Sequence, residues 1–113
     1  MRLCSVFLTL MLASCIPSVD AISTRYDGVE KFSPIDPAAV QVLDREPKQR
    51  HDRVGEVKLD ISIDPPVSVA DIDSKLREEA AKMGANAIYI IDGNVSYADK
   101  QRKLVGIAVR IRQ

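Results

Sequence analysis

The sequence has too few aromatic residues and too little net charge for several common modes of binding. Aromatic residues make up 4% of the 113 residues, which is too sparse for a platform on which nucleobases stack. Sixteen Lys and Arg balance sixteen Asp and Glu, whereas nucleic-acid binding requires a basic stripe. The same balance disfavours a polybasic surface that docks on anionic lipid. Nucleic acid is therefore not an expected partner.

The sequence is also poor in cysteine. Its two cysteines are Cys4 and Cys15, both near the N-terminus. Residues 38–113 therefore cannot contain a disulfide, and a domain there must be held together by its apolar core.

Residue patterns that carry catalysis or metal binding are missing. There is no Ser–His–Asp set, zinc-ligand spacing or phosphate-binding loop. The single histidine, His51, lies in a charged segment without fixed partners, so we expect a solvated loop residue. Four acidic residues could be considered as a calcium site: Asp60, Asp64, Asp71 and Asp73. They lack the spacing and the central glycine of a calcium-binding loop, and Asp71 and Asp73 fit the first turn of a helix, where negative charge is favoured. We expect no enzyme activity, cofactor or metal.

The N-terminus has the pattern of a bacterial export signal. Met1-Arg2 is followed by the apolar run Leu3 to Leu12, about half of the ~20 residues that a membrane-spanning helix needs. Small residues then precede Cys15, as at a cleavage site. We predict a signal peptide at residues 1–14, whose removal takes away Arg2 and leaves a net charge of about −1.

The segment Leu12-Ala13-Ser14-Cys15 resembles the lipobox of bacterial lipoproteins. The resemblance implies cleavage between Ser14 and Cys15, a diacylglyceryl group on the Cys15 thiol, and often a fatty acid such as palmitate on the new amine. Ile16 rather than Asp follows Cys15, which resembles sorting to the outer membrane on its periplasmic side. Membrane lipid, held through the acyl anchor, is thus the first expected partner.

Residues 15–37 are expected to be the lipidated N-terminus and a flexible tether. The segment contains several turn-forming Pro and Ser residues and has neither a strand nor a helix period. The alternative is a partly ordered tether, with Tyr26, Val29 and Phe32 folded back onto the domain. A flexible coil of this length averages roughly 25 Å from end to end. The folded part is therefore expected to work close to its own membrane.

Residues 38–113 are expected to form one small domain that begins with two strands. The first is predicted at 38–43, and 44–53 is a charged loop. The second strand has the clearest signal, because apolar side chains alternate with polar ones until Pro65 and Pro66 end the pattern. Its apolar residues are Val57, Leu59, Ile61 and Ile63.

A helix follows, with Ser68 as the expected N-cap and Gly84 as the left-handed residue that ends it. Its apolar stripe contains Val69, Ile72, Leu76, Ala80 and Met83. A buried strand is predicted at 87–91, a turn at 92–94, and a last strand at 104–111 whose aliphatic face is Val105, Ile107, Val109 and Ile111. The expected fold is α+β in the order β-β-α-β-β, with one helix packed on the aliphatic face of a four-stranded sheet.

The stretch from Lys75 to Ile88, with Val54-Gly55-Glu56-Val57 before the long strand, resembles a group of small bacterial proteins. The group contains many uncharacterised lipoproteins, the YbjQ-like proteins and the lipoprotein that senses envelope stress for the Rcs phosphorelay. The resemblance covers residues 38–113 and implies the fold and a role through contacts rather than catalysis. The Rcs sensor has disulfides in its folded domain, and this chain has no cysteines there.

A possible interaction surface involves Arg110 and Arg112 on the last strand and Lys58 on the long strand. These residues are either part of a solvated, charge-paired face or a recognition surface at an open sheet edge. We therefore expect a lipid-anchored envelope protein that acts as an interaction or sensor module. Self-association is an alternative, since it would help a domain of about 75 residues without disulfides. A small-ligand or metal binder is a third possibility.

Overall fold

The computed structural model describes residues 18–96 and 101–112. In this part of the chain, five strands and one α-helix follow one another with a 3₁₀ turn at Pro37–Ala39. Their bounds are β1 Val19–Arg25, β2 Gln41–Leu43, β3 His51–Ser62, α1 Val69–Lys82, β4 Ala87–Ser96 and β5 Gln101–Ile111.

The strands form one mixed sheet in the order β1-β3-β5-β4-β2. β1, β3, β5 and β4 pair antiparallel with their neighbours, whereas β2 pairs parallel with β4. Because the long strands are nearly in register, the sheet has two distinct ends. The Ser62 end also contains Val19 and Gln101, and the His51 end also contains Ile111, whereas β1 stops at Arg25, opposite Gly55. The twelve residues of β3 separate these ends by roughly 36 Å.

The main core lies between α1 and one face of the sheet. The helix packs against the alternating aliphatic side chains of β3, and Ala80 and Ala81 of the helix share this core with Ala108 of β5. The alternation predicted for β3 is confirmed through Ile61, since Val57, Leu59 and Ile61 are all buried.

A second apolar cluster lies on the other face of the sheet. It contains Tyr89, Ile107, Val109 and Ile111, with Leu43 packed beside them. The prediction that the helix covers the aliphatic face of the last strand is therefore wrong. The helix covers the alternate residues, such as Leu104 and Ala108, because β5 is a central strand and is apolar on both faces.

The ends of the helix agree with the sequence. The Ser68 hydroxyl accepts a hydrogen bond from the Asp71 amide at 3.1 Å, and Gly84 follows the helix with φ +76°. Leu76, Ala80 and Met83 are buried as expected. Val69 is not, because the residue is 82% exposed.

The sheet has five strands rather than four, and the additional strand lies inside the segment expected to be a tether. Val19–Arg25 pairs along its full length with β3. A hydrogen bond of 2.7 Å from the Ser23 hydroxyl to the Glu79 carboxylate also ties β1 to the helix. The tether prediction is therefore wrong from Val19 onwards, and the β-β-α-β-β order is incomplete.

Four boundaries also differ from those predicted, and one of them is the start of β5, at Gln101 rather than at residue 104. The first half of 38–43 belongs to the 3₁₀ turn, so β2 is only three residues long. β3 begins at His51, inside the predicted charged loop. β4 continues through the turn predicted at 92–94, with a bulge between Ile90 and Asp92. Within the described ranges no helix has the length and apolar character to cross a bilayer.

Candidate functional site

An open cleft of roughly 600 Å³ lies at the His51 end of the sheet. One wall is the segment after β1, and the other is formed by the start of β3, the loop before it and the end of β5. The lining residues are Gly28, Val29, Glu30, Phe32, Glu46, His51, Asp52, Arg53 and Arg112. This cleft is the candidate site because it combines a concave shape with several charged groups held in fixed pairs.

His51 is held between two hydrogen-bond acceptors. Its Nδ1 lies 2.6 Å from the Gln49 carbonyl oxygen, and its Nε2 lies 2.9 Å from a Glu46 carboxylate oxygen. Its side chain is only 13% exposed. The expectation of a solvated loop histidine is therefore wrong. Because both nitrogens face acceptors, the imidazolium, which carries two N–H donors, fits the site better than the neutral ring.

Glu46 joins His51 to a second cation. The Arg53 guanidinium donates to the same carboxylate oxygen of Glu46 at 3.1 Å. The hydrogen bond from His51, followed by the one from Arg53, lowers the pKa of Glu46. The hydrogen bond to the Gln49 carbonyl, followed by the one to Glu46, raises the pKa of His51 despite an opposing effect of burial.

Asp52 and Arg112 form a neighbouring ion pair across β3 and β5. The Arg112 Nε donates to an Asp52 carboxylate oxygen at 2.8 Å, and the Arg112 amide donates to the Arg50 carbonyl at 2.9 Å. Both side chains remain about half exposed at the mouth of the cleft. They are therefore accessible to a partner as well as to each other.

The opposite wall is anchored on the end of the helix. Phe32 lies over Gly84, and the Arg110 guanidinium stacks on the Phe32 ring at 5.5 Å from its centroid. Arg110 also donates to the Gly84 carbonyl at 3.0 Å, and the Ile35 amide donates to the Ala81 carbonyl at 3.0 Å. These contacts hold residues 26–36 in place, so the cleft has two structured walls.

The cleft is suited to binding a polar partner through ion pairs and one aromatic ring. Its cations and carboxylates already satisfy one another, so they can exchange partners without leaving a buried charge unpaired. In the described part of the chain, no group of three or more His, Cys, Asp or Glu side chains could hold a metal ion.

The paired histidine predicts a pH-dependent stability. Because the folded-state pKa of His51 is raised, its contribution is complete below the unfolded value of about 6.5 and is lost as the pH rises through the folded value. We expect the free energy of unfolding to fall as the pH rises above about 6.5. Urea unfolding of the wild type and of Glu46→Gln measures this, since His51 is the only histidine.

The control for this measurement is Asp52→Asn, which breaks the adjacent ion pair with Arg112. It should keep the fall in stability across that pH range, whereas Glu46→Gln should make the fall shallower without abolishing it, because the hydrogen bond from His51 to the Gln49 carbonyl remains. Equal slopes in the wild type and Glu46→Gln would contradict the assignment to the His51–Glu46 pair.

The structure separates the residues predicted as an interaction surface. Arg112 lines the cleft, but Arg110 is on the helix side and holds Gly84 and Phe32. Lys58 projects from the opposite face, 3.7 Å from Glu56, and pairs in register with Val105 rather than with an arginine. These three residues therefore do not form one surface. The lipidation and cleavage residues, Cys15 and Ser14, lie outside the described residues.

Sequence reasoning missed Glu46, Arg53 and Phe32 as site residues. The bulge between Arg53 and Gly55 shifts the register of β3. The alternation that marks Val57 to Ile61 therefore does not extend back to His51. The charge density of residues 44–53 was the available signal, but it also fits a solvated loop.

Comparisons with known proteins give a fold relationship. No family model and no curated protein match the chain. A solved structure, described as the crystal structure of a Francisella virulence factor FvfA, is similar with a TM-score of 0.57. The similarity covers 80% of this chain and 97% of that one at 19% sequence identity. At this identity the likeness supports the α+β fold alone.

Proposed function

We propose that this protein is a lipid-anchored protein of the bacterial envelope that acts as an interaction module. The acyl chains on Cys15 attach it to the outer membrane on the periplasmic side, and the cleft at the His51 end binds a protein partner. The role depends on contacts and not on catalysis. The proposal rests on the lipobox-like segment at residues 12–15 and on the position of the cleft.

The observation that carries the proposal is the start of β1 at Val19, four residues after Cys15. Four residues of extended chain span at most about 14 Å. A lipid on Cys15 therefore holds the Ser62 end of the sheet close to the bilayer, in place of the longer tether expected from the sequence. The cleft is then roughly 36 Å farther out, at the opposite end of β3.

Membrane attachment is tested by fractionation of wild type, Cys15→Ala and Cys4→Ala. We expect the wild type in the membrane fraction, with an intact mass that includes the acyl groups and excludes residues 1–14. Cys15→Ala should lose this mass and the mature N-terminus, because it lacks the thiol that carries the lipid. Cys4→Ala is the matched control and should behave as the wild type. A mature wild-type protein whose intact mass does not include acyl groups would contradict the proposal.

Crosslinking in the same cells separates the interaction module from a self-assembling lipoprotein. The second candidate is favoured by β1, which is an edge strand with Ile22 65% exposed at its centre. Products that contain another envelope protein, and that are lost in Arg112→Glu, support the interaction module. Products that contain only copies of this chain support self-assembly.

A further inference from the structure

The chain enters the domain directly beside the loop that joins β3 to α1. The Ser62 amide donates to the Ser18 carbonyl at 3.0 Å, and the Ser62 hydroxyl donates to the Pro65 carbonyl at 2.6 Å. Cys15 is only three residues before Ser18, which is at most about 11 Å of extended chain. Whatever Cys15 is attached to therefore lies close to this loop.

The segment at residues 63–69, which comprises this loop and the first residue of α1 and is here called the Pro-Pro loop, is apolar for its position. Five of its seven residues are apolar and one is charged: Ile63, Asp64, Pro65, Pro66, Val67, Ser68 and Val69. Val67 packs on the main core, whereas Pro66 and Val69 face outwards. Val69, at 82%, is the most exposed of the large aliphatic residues in the described part of the chain.

The position of Val69 is determined by the helix cap. Ser68 accepts the Asp71 amide hydrogen bond, which makes Val69 the first residue of α1 and directs its side chain away from the core stripe. The core gains little from a valine that is 82% exposed. An exposed apolar side chain beside a lipid attachment point can be buried in the interfacial layer of the bilayer.

We propose that the Pro-Pro loop is the bilayer-contacting surface of the domain, with Pro66 and Val69 in the interfacial layer. The inference rests on the proposed lipidation of Cys15. Asp64 lies in the loop and Asp71 lies two residues after it, and both are exposed, so an anionic lipid surface would repel this segment. The partner is therefore a zwitterionic phospholipid surface. The domain contacts it at the Ser62 end, and the cleft at the His51 end lies farthest from the bilayer.

Tryptophan fluorescence tests this directly, because the sequence contains no tryptophan. Full-length lipoprotein variants carrying Val69→Trp, Ile22→Trp or Lys48→Trp are purified from membranes, and their acylation is checked by intact mass. They are reconstituted into vesicles of phosphatidylcholine with or without bromine on the acyl chains. All three positions are exposed, so the fold should be retained, and circular dichroism checks that it is.

We expect brominated lipid to quench the emission of Val69→Trp and to leave that of Lys48→Trp unchanged. Lys48 lies on the loop before β3, at the far end of the domain. Ile22→Trp distinguishes an upright domain from one that lies on its open sheet face, and we expect much less quenching there than in Val69→Trp. Replacing part of the phosphatidylcholine with anionic phosphatidylglycerol should reduce the quenching of Val69→Trp.

Unquenched emission from Val69→Trp, in a protein whose mass includes the acyl chains, would overturn this inference and leave the proposed function standing. Stronger quenching of Ile22→Trp or Lys48→Trp than of Val69→Trp would overturn it as well. Absence of acyl mass would instead remove the proposed function, and this inference with it. The mass measurement precedes the vesicle experiment, so the two failures are distinguishable.

Discussion

Gly55→Ala should lower the free energy of unfolding by about 2–3 kcal/mol, because it overpacks the junction of β1, β3 and α1. Gly55 is buried and pairs with Arg25 on β1 and with Ala108 on β5. An alanine Cβ would lie 2.6 Å from the Met83 sulfur and 2.6 Å from the Thr24 carbonyl oxygen. The Met83 side chain can move, but the backbone of Thr24 cannot move unless β1 separates from β3.

Urea unfolding of a soluble form that begins at Ile16 measures this loss. The matched control is Gly93→Ala, also in a strand, where the nearest atom to an added Cβ is a Leu104 methyl carbon at 3.4 Å. It should be close to neutral. Hydrogen exchange should show faster exchange of the Tyr26 amide, which donates to the Val54 carbonyl, in Gly55→Ala only. Equal stability of the two variants would contradict the packing of β1 described here.

The sequence was most informative where one face of a helix or strand is buried and the other is exposed to solvent. α1 satisfies this, and its cap at Ser68 and end at Gly84 follow from local chemistry that tertiary packing does not override. β3 satisfies it from Val57 to Ile61. For these segments the periodicity and the burial describe the same physical fact.

β1 could not be recognised in this way. Its core-facing residues are Val19 and Ala21, followed by Ser23, whose hydroxyl bonds Glu79. Its most apolar side chain, Ile22, lies on the open face. An edge strand with a polar contact to a helix carries no apolar alternation, so only its pairing partner reveals it.

The candidate site was unpredictable for a related reason. The walls of the cleft are separated by long stretches of sequence, and the sheet register brings them together. Asp52 and Arg112 are 60 residues apart, and neither belongs to a local motif. The pairing of His51 with Glu46 spans only five residues, but it depends on the turn that returns the chain to β3. Local sequence does not specify that turn.

Gly84→Ala, at the other wall of the cleft, should cause the larger of the two losses in the free energy of unfolding. Gly84 has φ +76°, which costs a residue with a Cβ about 1–2 kcal/mol. That Cβ would also lie 2.5 Å from the Phe32 Cβ and 2.7 Å from the Ser33 carbonyl oxygen. We expect a total loss of about 3–4 kcal/mol in the free energy of unfolding, since strain and overpacking act together.

Gly28→Ala separates these two causes. Its φ of +78° is nearly the same, but no atom lies within 4 Å of an added Cβ. It should therefore lose only the conformational part, about 1–2 kcal/mol. The excess in Gly84→Ala measures how closely residues 32–33 approach the end of the helix. That variant should also expose the Phe32 segment to protease and weaken crosslinking to an envelope partner, because the segment forms one wall of the cleft. If the two variants lost equal stability, the segment would not be seated on Gly84, and the cleft would lack its second wall.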